Sequence, residues 1–365
     1  MRQSQITRKR AVRKQQPITR TLGIDLGDRM SMMFGLDTST GETMGPKRVP
    51  TTERGMEDLF AGLPRTRVVI ETGTHVNWAA RMAESFGHEV IVAQSRKVAL
   101  ISMNDRKSDA HDAEILARFG SSQPELLYPV KLRSEQAQAH LAVLRARETV
   151  MEARTSLVNC ARGLAKSQGH RLPSCSADSF HRKVWREVPK ELEAALHPLL
   201  VAIARLTRTI GRYEREVARL CREVRPEATH LAGAHGVGAL TALAFVLAID
   251  DPKRFKSSRL AGAYFGLVPR KDQSGGTDKQ LGIAKSGDAM VRRLLVQCAH
   301  VILMDRGKPV DSALRRWGLA LAERGGKNAK RRAVVAVARK LAVLLHAMWI
   351  SGEAYEPLRG CKPAA

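Results

Sequence analysis

Asp25 lies inside Gly23-Ile-Asp-Leu-Gly27, and Glu71 directly follows Val68-Val-Ile70. Each acid falls in or at the end of a short apolar segment, where an ionised carboxylate is costly unless it is paired or neutralised by a cation. Further along, Asp109 and Asp112 stand three residues apart in Ser108-Asp-Ala-His-Asp-Ala113. With Ser108 as an N-cap, both acids fall in the first turn of a helix and face the same way. Brought together, Asp25, Glu71, Asp109 and Asp112 make an all-oxygen donor set for one or two hard divalent cations, Mg²⁺ or in its place Mn²⁺. Two such ions about 4 Å apart serve in-line displacement at a phosphodiester. First-turn acids also favour the helix dipole for purely structural reasons, and Asp105 or Glu114 could stand in for a helical member of the set.

A second candidate is Ser274. It precedes Gly275-Gly276, in a loop able to approach a phosphate closely. Arg270, Lys271, Lys279 and Lys285 flank it, so charge developing on a phosphorane would meet cations. Read alone, Ser-Gly-Gly is far more often a plain linker. A serine hydroxyl is a weak nucleophile, and the nearest histidines, His235 and His300, are far along the chain, so activation must come from elsewhere. Asp278 could orient the serine or balance local charge.

The elements that must hold these groups change character along the chain. Thr21 to Leu26, Met30 to Leu36 and Lys47 to Thr51 read as strands, the first two joined as a hairpin through Gly27-Asp28-Arg29. Glu53 to Leu63 reads as a helix, Arg67 to Ile70 as a strand, Trp78 to Phe86 as a helix and Glu89 to Ala93 as a strand. A helix from Ser108 to Arg118 follows, and the order as a whole is a mixed α/β sheet with helices packed on it. Next, Leu192, Leu196, Leu199, Ile203, Leu206, Ile210, Tyr213, Val217 and Leu220 alternate four and three apart, the signature of a coiled-coil seam. Pro198 predicts that the regular helix begins there. With the apolar face from Val143 to Leu164, this region is an antiparallel helical stalk or a dimerisation element; a plain bundle is the alternative. The remainder is helical and Gly-punctuated, with helices over 239–249, 259–264, 288–303 and 333–349; polar positions of the last two carry Arg292, Arg293, Arg339 and Lys340.

Composition limits the partners. The 61 Lys and Arg against 36 Asp and Glu leave a net charge of +25, which points to a polyanion, nucleic acid above all. The longest apolar run, Ala239 to Ile249, is shorter than the roughly 18 residues of a spanning helix, so no membrane partner is expected. Five scattered cysteines without a C-x-x-C pair argue against a disulfide framework or a zinc site. Residues 1 to 20 carry seven basic side chains and no acid, the composition of a tail able to touch phosphate.

The stretches G-I-D-L-G, V-I-E-T-G-T-H and K-S-D-A-H-D-A, in that order, resemble the DEDD tetrad of the RuvC-like transposases of the IS110 family. His235-Gly-Val-Gly238 through Ile249, Arg254-Phe255, Leu260 to Pro269, Ser274-Gly-Gly276 and Gly282-Ile-Ala-Lys285 resemble that family's C-terminal transposase domain. The resemblance implies a ribonuclease H-like (RuvC-like) α/β domain over 21–125, a helical coiled-coil linker over 126–228 and a mainly α serine transposase domain over 229–350, between tails at 1–20 and 351–365. It implies Asp25, Glu71, Asp109 and Asp112 as catalytic, metal-holding acids and Ser274 as a nucleophile that links covalently to DNA. Arg270, Lys271, Lys279, Lys285, Arg292 and Arg293 are the expected nucleic-acid contacts.

The resemblance further implies as partners donor and target duplex DNA and a structured non-coding guide RNA from the same element. It also implies further copies of the chain, in a homodimer or homotetramer joining the acids of one subunit to the serine of another. The expected place is the cytoplasm, on the nucleoid. Two rival readings are a RuvC-like junction nuclease that hydrolyses without a serine intermediate, and a noncatalytic nucleic-acid-binding protein.

Overall fold

The computed structural model describes residues 17–95, 108–304 and 310–359. Most of the basic tail, together with Asp105, Lys107 and Cys361, lies outside the described residues. The chain divides into two compact units, one ending at Leu132 and the other beginning at Arg133.

The first unit is built on a five-stranded sheet of β1 (Arg20–Asp25), β2 (Met30–Asp37), β3 (Thr43–Pro50), β4 (Thr66–Glu71) and β5 (Glu89–Ala93), ordered β3-β2-β1-β4-β5. β1, β2 and β3 pair antiparallel, while β1, β4 and β5 are parallel. Alternation along β1 sends Leu22 and Ile24 to one face, where they pack with Val68 and Ile70 under Met56 and Phe60 of α1 (Glu53–Gly62) and Ala79 and Ala83 of α2 (Val76–Ser85). The opposite face is covered by α3 (Asp109–Ser122), whose Leu116 joins Val69, Ile91 and Ala93. Three antiparallel strands followed by two parallel ones, with helices on both faces, agree with the expected ribonuclease H-like architecture.

In the second unit α4 (Glu135–Ser167) and α6 (Glu193–Arg219) form an antiparallel hairpin. Arg147 pairs with Glu214, Arg154 reaches Thr207, and Ala161 packs with Leu200, so the two helices run in opposite directions. Along the seam Leu196, Ile203, Ile210, Val217 and Leu220 are buried, while Leu192, Leu199, Leu206 and Tyr213 are half-buried. Helix α6 begins at Glu193, ahead of the expected start, and carries Pro198 inside it. The proline removes one amide in the second turn, on an exposed position, and a 3-10 turn over Lys190–Leu192 leads into the helix.

Toward its far end the hairpin has its own small core, where α5 (Phe180–Val184) covers Val158, Ala161 and Leu196. Its other end merges into the main core through Ala137, Leu141, Val217 and Leu220. That core is completed by α7 (Pro226–Leu231), α8 (Ala239–Ile249), α9 (Arg259–Tyr264), α10 (Ala289–Leu303), α11 (Ala313–Glu323) and α12 (Ala329–Ser351). Helix α8 is buried from Thr241 to Ile249, so it needs no polar face. By length and composition α12, with 23 residues, could cross a membrane, and half of its most apolar window is buried. Val337, Leu341 and Leu345 are in the core, which accounts for that composition. Between α9 and α10 the chain forms a two-stranded ribbon, β6 (Pro269–Ser274) and β7 (Thr277–Ile283), where the sequence around Ser274 reads as a loop.

Candidate active site

The two strand acids are neighbours. The parallel ladder ends with Ile24 opposite Ile70, and Asp25 and Glu71 are the next residue on each strand. Interstrand spacing is about 4.8 Å, so their backbones stand side by side at the carboxyl edge of the sheet. Alternation places Asp25 on the face of Thr21 and Gly23, and Glu71 on that of Val69, opposite the Leu22–Ile24 core. Both are half-buried.

Helix α3 brings the other two acids to this face. Its backbone at Ala113 and Ala117 lies directly over Gly23, and Gly120 lies over Thr21 and Val69. As α3 proceeds from 113 to 120 it therefore passes from residue 23 back toward residue 21, antiparallel to β1. Its first turn, with Asp109 and Asp112, is consequently at the carboxyl end of β1 and β4. Ser108 caps the helix, its hydroxyl accepting from the His111 amide at 3.2 Å. Asp109 is exposed and Asp112 half-buried.

The sequence-predicted acids thus share one face and one edge. Among the described residues, no three Asp, Glu, His or Cys side chains stand close enough to hold a metal ion. A four-oxygen donor set of this chemistry still fits a hard divalent cation.

The loops beyond the strands supply a group the sequence reading did not assign. His75, after β4, faces Asp28, after β1, at 3.7 Å. The Trp78 indole N–H donates to His75 Nδ1 at 3.2 Å, which leaves the imidazole proton on Nε2, toward Asp28. Thr72 ties β4 to β5 by donating its hydroxyl to Ser95 Oγ at 3.0 Å and accepting the Ser95 amide at 3.2 Å. The histidine in T-G-T-H was the available signal; its partner Asp28 becomes meaningful only once β1 and β4 are adjacent.

Ser274 is the last residue of β6, at the ribbon tip, opposite Thr277 across the Gly275-Gly276 turn. Gly275 has φ +57, the region that favours glycine in a two-residue hairpin turn. The ribbon's base is clamped: Ala284 N donates to Val268 O at 2.8 Å, and Lys285 N to Gly266 O at 3.1 Å. The Arg292 guanidinium donates to Phe265 O at 3.1 Å and Ser286 O at 2.7 Å, so it holds both feet of the ribbon together. At about 3.4 Å per residue the strand carries Ser274 roughly 17 Å from Pro269.

Arg270, Lys271, Lys279 and Lys285 are exposed. Arg293 pairs with Glu148. Cross-strand register puts Asp272 and Lys279 on the Ser274 face, and Asp278, opposite Gln273, on the other.

Two family models match the chain in tandem. Residues 22–167 match a transposase family of the DEDD IS110 type, and residues 228–316 match the transposase IS116/IS110/IS902 family. A transposase for insertion sequence element IS1328 from Yersinia enterocolitica is 30% identical over 308 residues, covering 82% of this chain and 89% of that protein. The chain belongs to the IS110 family of transposases. The transposase of insertion sequence element IS1111A from Coxiella burnetii is 28% identical over 364 residues, 97% of this chain and 96% of its own length. The first family match spans the sheet, α3 and α4, and so contains all four acids of this family member; the second contains the whole ribbon and Ser274.

Proposed function

We propose that this transposase cuts and rejoins the ends of an insertion sequence with two groups, the carboxylates of Asp25, Glu71, Asp109 and Asp112 and the hydroxyl of Ser274. The observation that carries this reading is the shared edge and face of the four acids, set by the β1–β4 register and the direction of α3. They would hold Mg²⁺ or Mn²⁺, which when bound supplies stabilisation of charge on phosphoryl oxygens. Asp25 and Glu71, on adjacent strands, provide the rigid half of the set, and Asp109 and Asp112 provide the helix-borne half.

In the step assigned to Ser274, Oγ attacks the phosphorus of a DNA phosphodiester. The Oγ–P bond forms as one P–O bond to deoxyribose breaks; the serine proton is lost to a base, and the departing deoxyribose oxygen takes up a proton. Because the product is again a phosphodiester, a second strand's hydroxyl can displace Ser274 and reseal DNA without an external energy source. Lys279, on the Ser274 face, and Arg270, Lys271 and Lys285 would neutralise neighbouring phosphates.

The same reading includes donor and target duplexes and a guide RNA whose pairing supplies sequence while the protein grips backbone and shape. It also includes a homodimer or homotetramer in which the acids of one subunit meet the serine of another. The chain would then act on the nucleoid. The experiment is a search for a denaturant-resistant protein–DNA adduct on a suicide substrate with guide RNA and Mg²⁺. The native chain should form it and Ser274→Ala should not. An equal adduct yield from Ser274→Ala overturns the role of the serine, and cleavage without any adduct favours the junction-nuclease reading.

A further inference from the structure

Near the far end of the helical hairpin, α5 and the 3-10 turn after it (Trp185–Glu187) face α6 across an open groove of about 460 Å³. Leu200, Val201 and Ala204 give it an apolar floor, the small Ala204 leaving room above it. Arg182, Arg186 and Arg208 line it, and no acidic side chain does. Among the described residues none of these three guanidiniums has an ion-pair or hydrogen-bond partner. Three other arginines of the hairpin are engaged, Arg147 with Glu214, Arg154 with Asp178, and Arg162 with the Leu172 and Pro173 carbonyls.

The groove also has an aromatic platform. Trp185 stacks on His197 with ring centroids 4.3 Å apart and planes at 12°, so one face of the indole is supported while 42% of the residue stays exposed. His181 lines the groove with its Nδ1 buried and without a hydrogen-bond partner among the described residues. Burial first, then the charges of Arg182, Arg208 and Arg154, lowers its pKa, so it is a neutral ring in a positive field.

We propose that this groove binds an unpaired nucleotide of a single-stranded nucleic acid, its base on the open face of Trp185 and its flanking phosphates against Arg182, Arg186 and Arg208. An exposed indole braced from behind, an apolar floor and unpaired guanidiniums without acids match the three parts of a nucleotide: π-face, base edge and phosphate. A duplex cannot use the platform, because its bases are already stacked on one another. The inference extends the nucleic-acid reading above to a separate site.

The test uses the full chain in EDTA with end-labelled oligo-dT, oligo-U and a mixed-sequence duplex of equal length, read by fluorescence anisotropy. Trp185→Leu should weaken binding of the single strands about 10-fold and leave the duplex unchanged, and Trp185→Tyr should restore most of the loss. Arg182→Gln, Arg186→Gln and Arg208→Gln combined should lower the logarithmic salt slope for single strands by about 2, at about 0.7 per phosphate. A larger loss on oligo-U than on oligo-dT identifies RNA as the source of the nucleotide, and the reverse identifies DNA. Single-strand affinity unchanged in Trp185→Leu, or an equal loss for the duplex, overturns the proposal. Because no cleavage is measured, these outcomes are independent of whether Asp25 and Ser274 perform strand chemistry.

Discussion

Gly23 lies so close beneath Ala113 that a Cβ at residue 23 would stand 2.1 Å from the Ala113 carbonyl oxygen and 2.6 Å from the Ala117 amide nitrogen. Both contacts are helix backbone, which cannot swing aside as a side chain can. This ledge sets the height of α3 over β1, and with it the position of Asp109 and Asp112 relative to Asp25.

Gly23→Ala should therefore lift α3 and destabilise the first unit by about 1 to 3 kcal/mol, as overpacking does. Gly62→Ala is the control: Gly62 ends α1, and a Cβ there meets nothing within 4 Å. It should be neutral or stabilising by up to about 1 kcal/mol. Urea unfolding of both variants checks the contrast, and equal midpoints would remove the ledge from the explanation of the site.

Asp25→Asn keeps the size of the side chain and removes its charge. Strand cleavage in Mg²⁺ or Mn²⁺ should fall about 100-fold or more, with DNA affinity and melting temperature held. Retention of cleavage at saturating cation would separate Asp25 from the chemistry.

The ribbon arginine and lysines divide by role from Arg292. Neutralising Arg270, Lys271, Lys279 and Lys285 should weaken binding alike across duplex sequences, each contacted phosphate removing about 0.9 from the logarithmic salt slope. Arg292→Gln should instead lower thermal stability, because it strips the donors from the Phe265 and Ser286 carbonyls. A salt titration and a melt of each variant resolve the two effects.

Asp37, at the end of β2, is a measurable pH probe away from the site. The hydroxyl and amide of Ser39, then Arg20, hold its carboxyl well below the ordinary carboxylate range. A depressed folded pKa contributes stability above the unfolded value of 3.8, lost as pH falls through the lower folded value. The stability difference between the native chain and Asp37→Asn should be constant at neutral pH and shrink below about pH 4. A difference that grows on acidification would contradict that sign.

What the sequence made legible follows what burial writes into it. β1, β2, β4 and β5 were readable because each alternates or runs apolar against a core. β3 starts at Thr43, earlier than its reading from Lys47, because as an edge strand it is exposed at nearly every position and so leaves no pattern. The ribbon escaped for the same reason; β6 is exposed throughout, and its one local cue was Gly-Gly at a hairpin turn. The acids could be named from composition and the i, i+3 spacing. Their common edge could not, since it depends on the β1–β4 register and on which way α3 crosses Gly23. Arg292 and Arg293 looked alike on a polar helix face, and only the folded chain supplies the carbonyls that take up one and the Glu148 carboxylate that takes up the other.

The apolar helix α12 gives the two units different histories during synthesis. Everything the first unit packs together precedes residue 133, so it can fold as soon as that length has left the ribosome. The second core reaches from Ala137 to Met348 and lacks Val337, Leu341 and Leu345 until α12 has been made. Until then, the inner face of α10 lacks the helix that packs against it. A message cut short within α11 would leave a folded, acid-bearing sheet tethered to an open core.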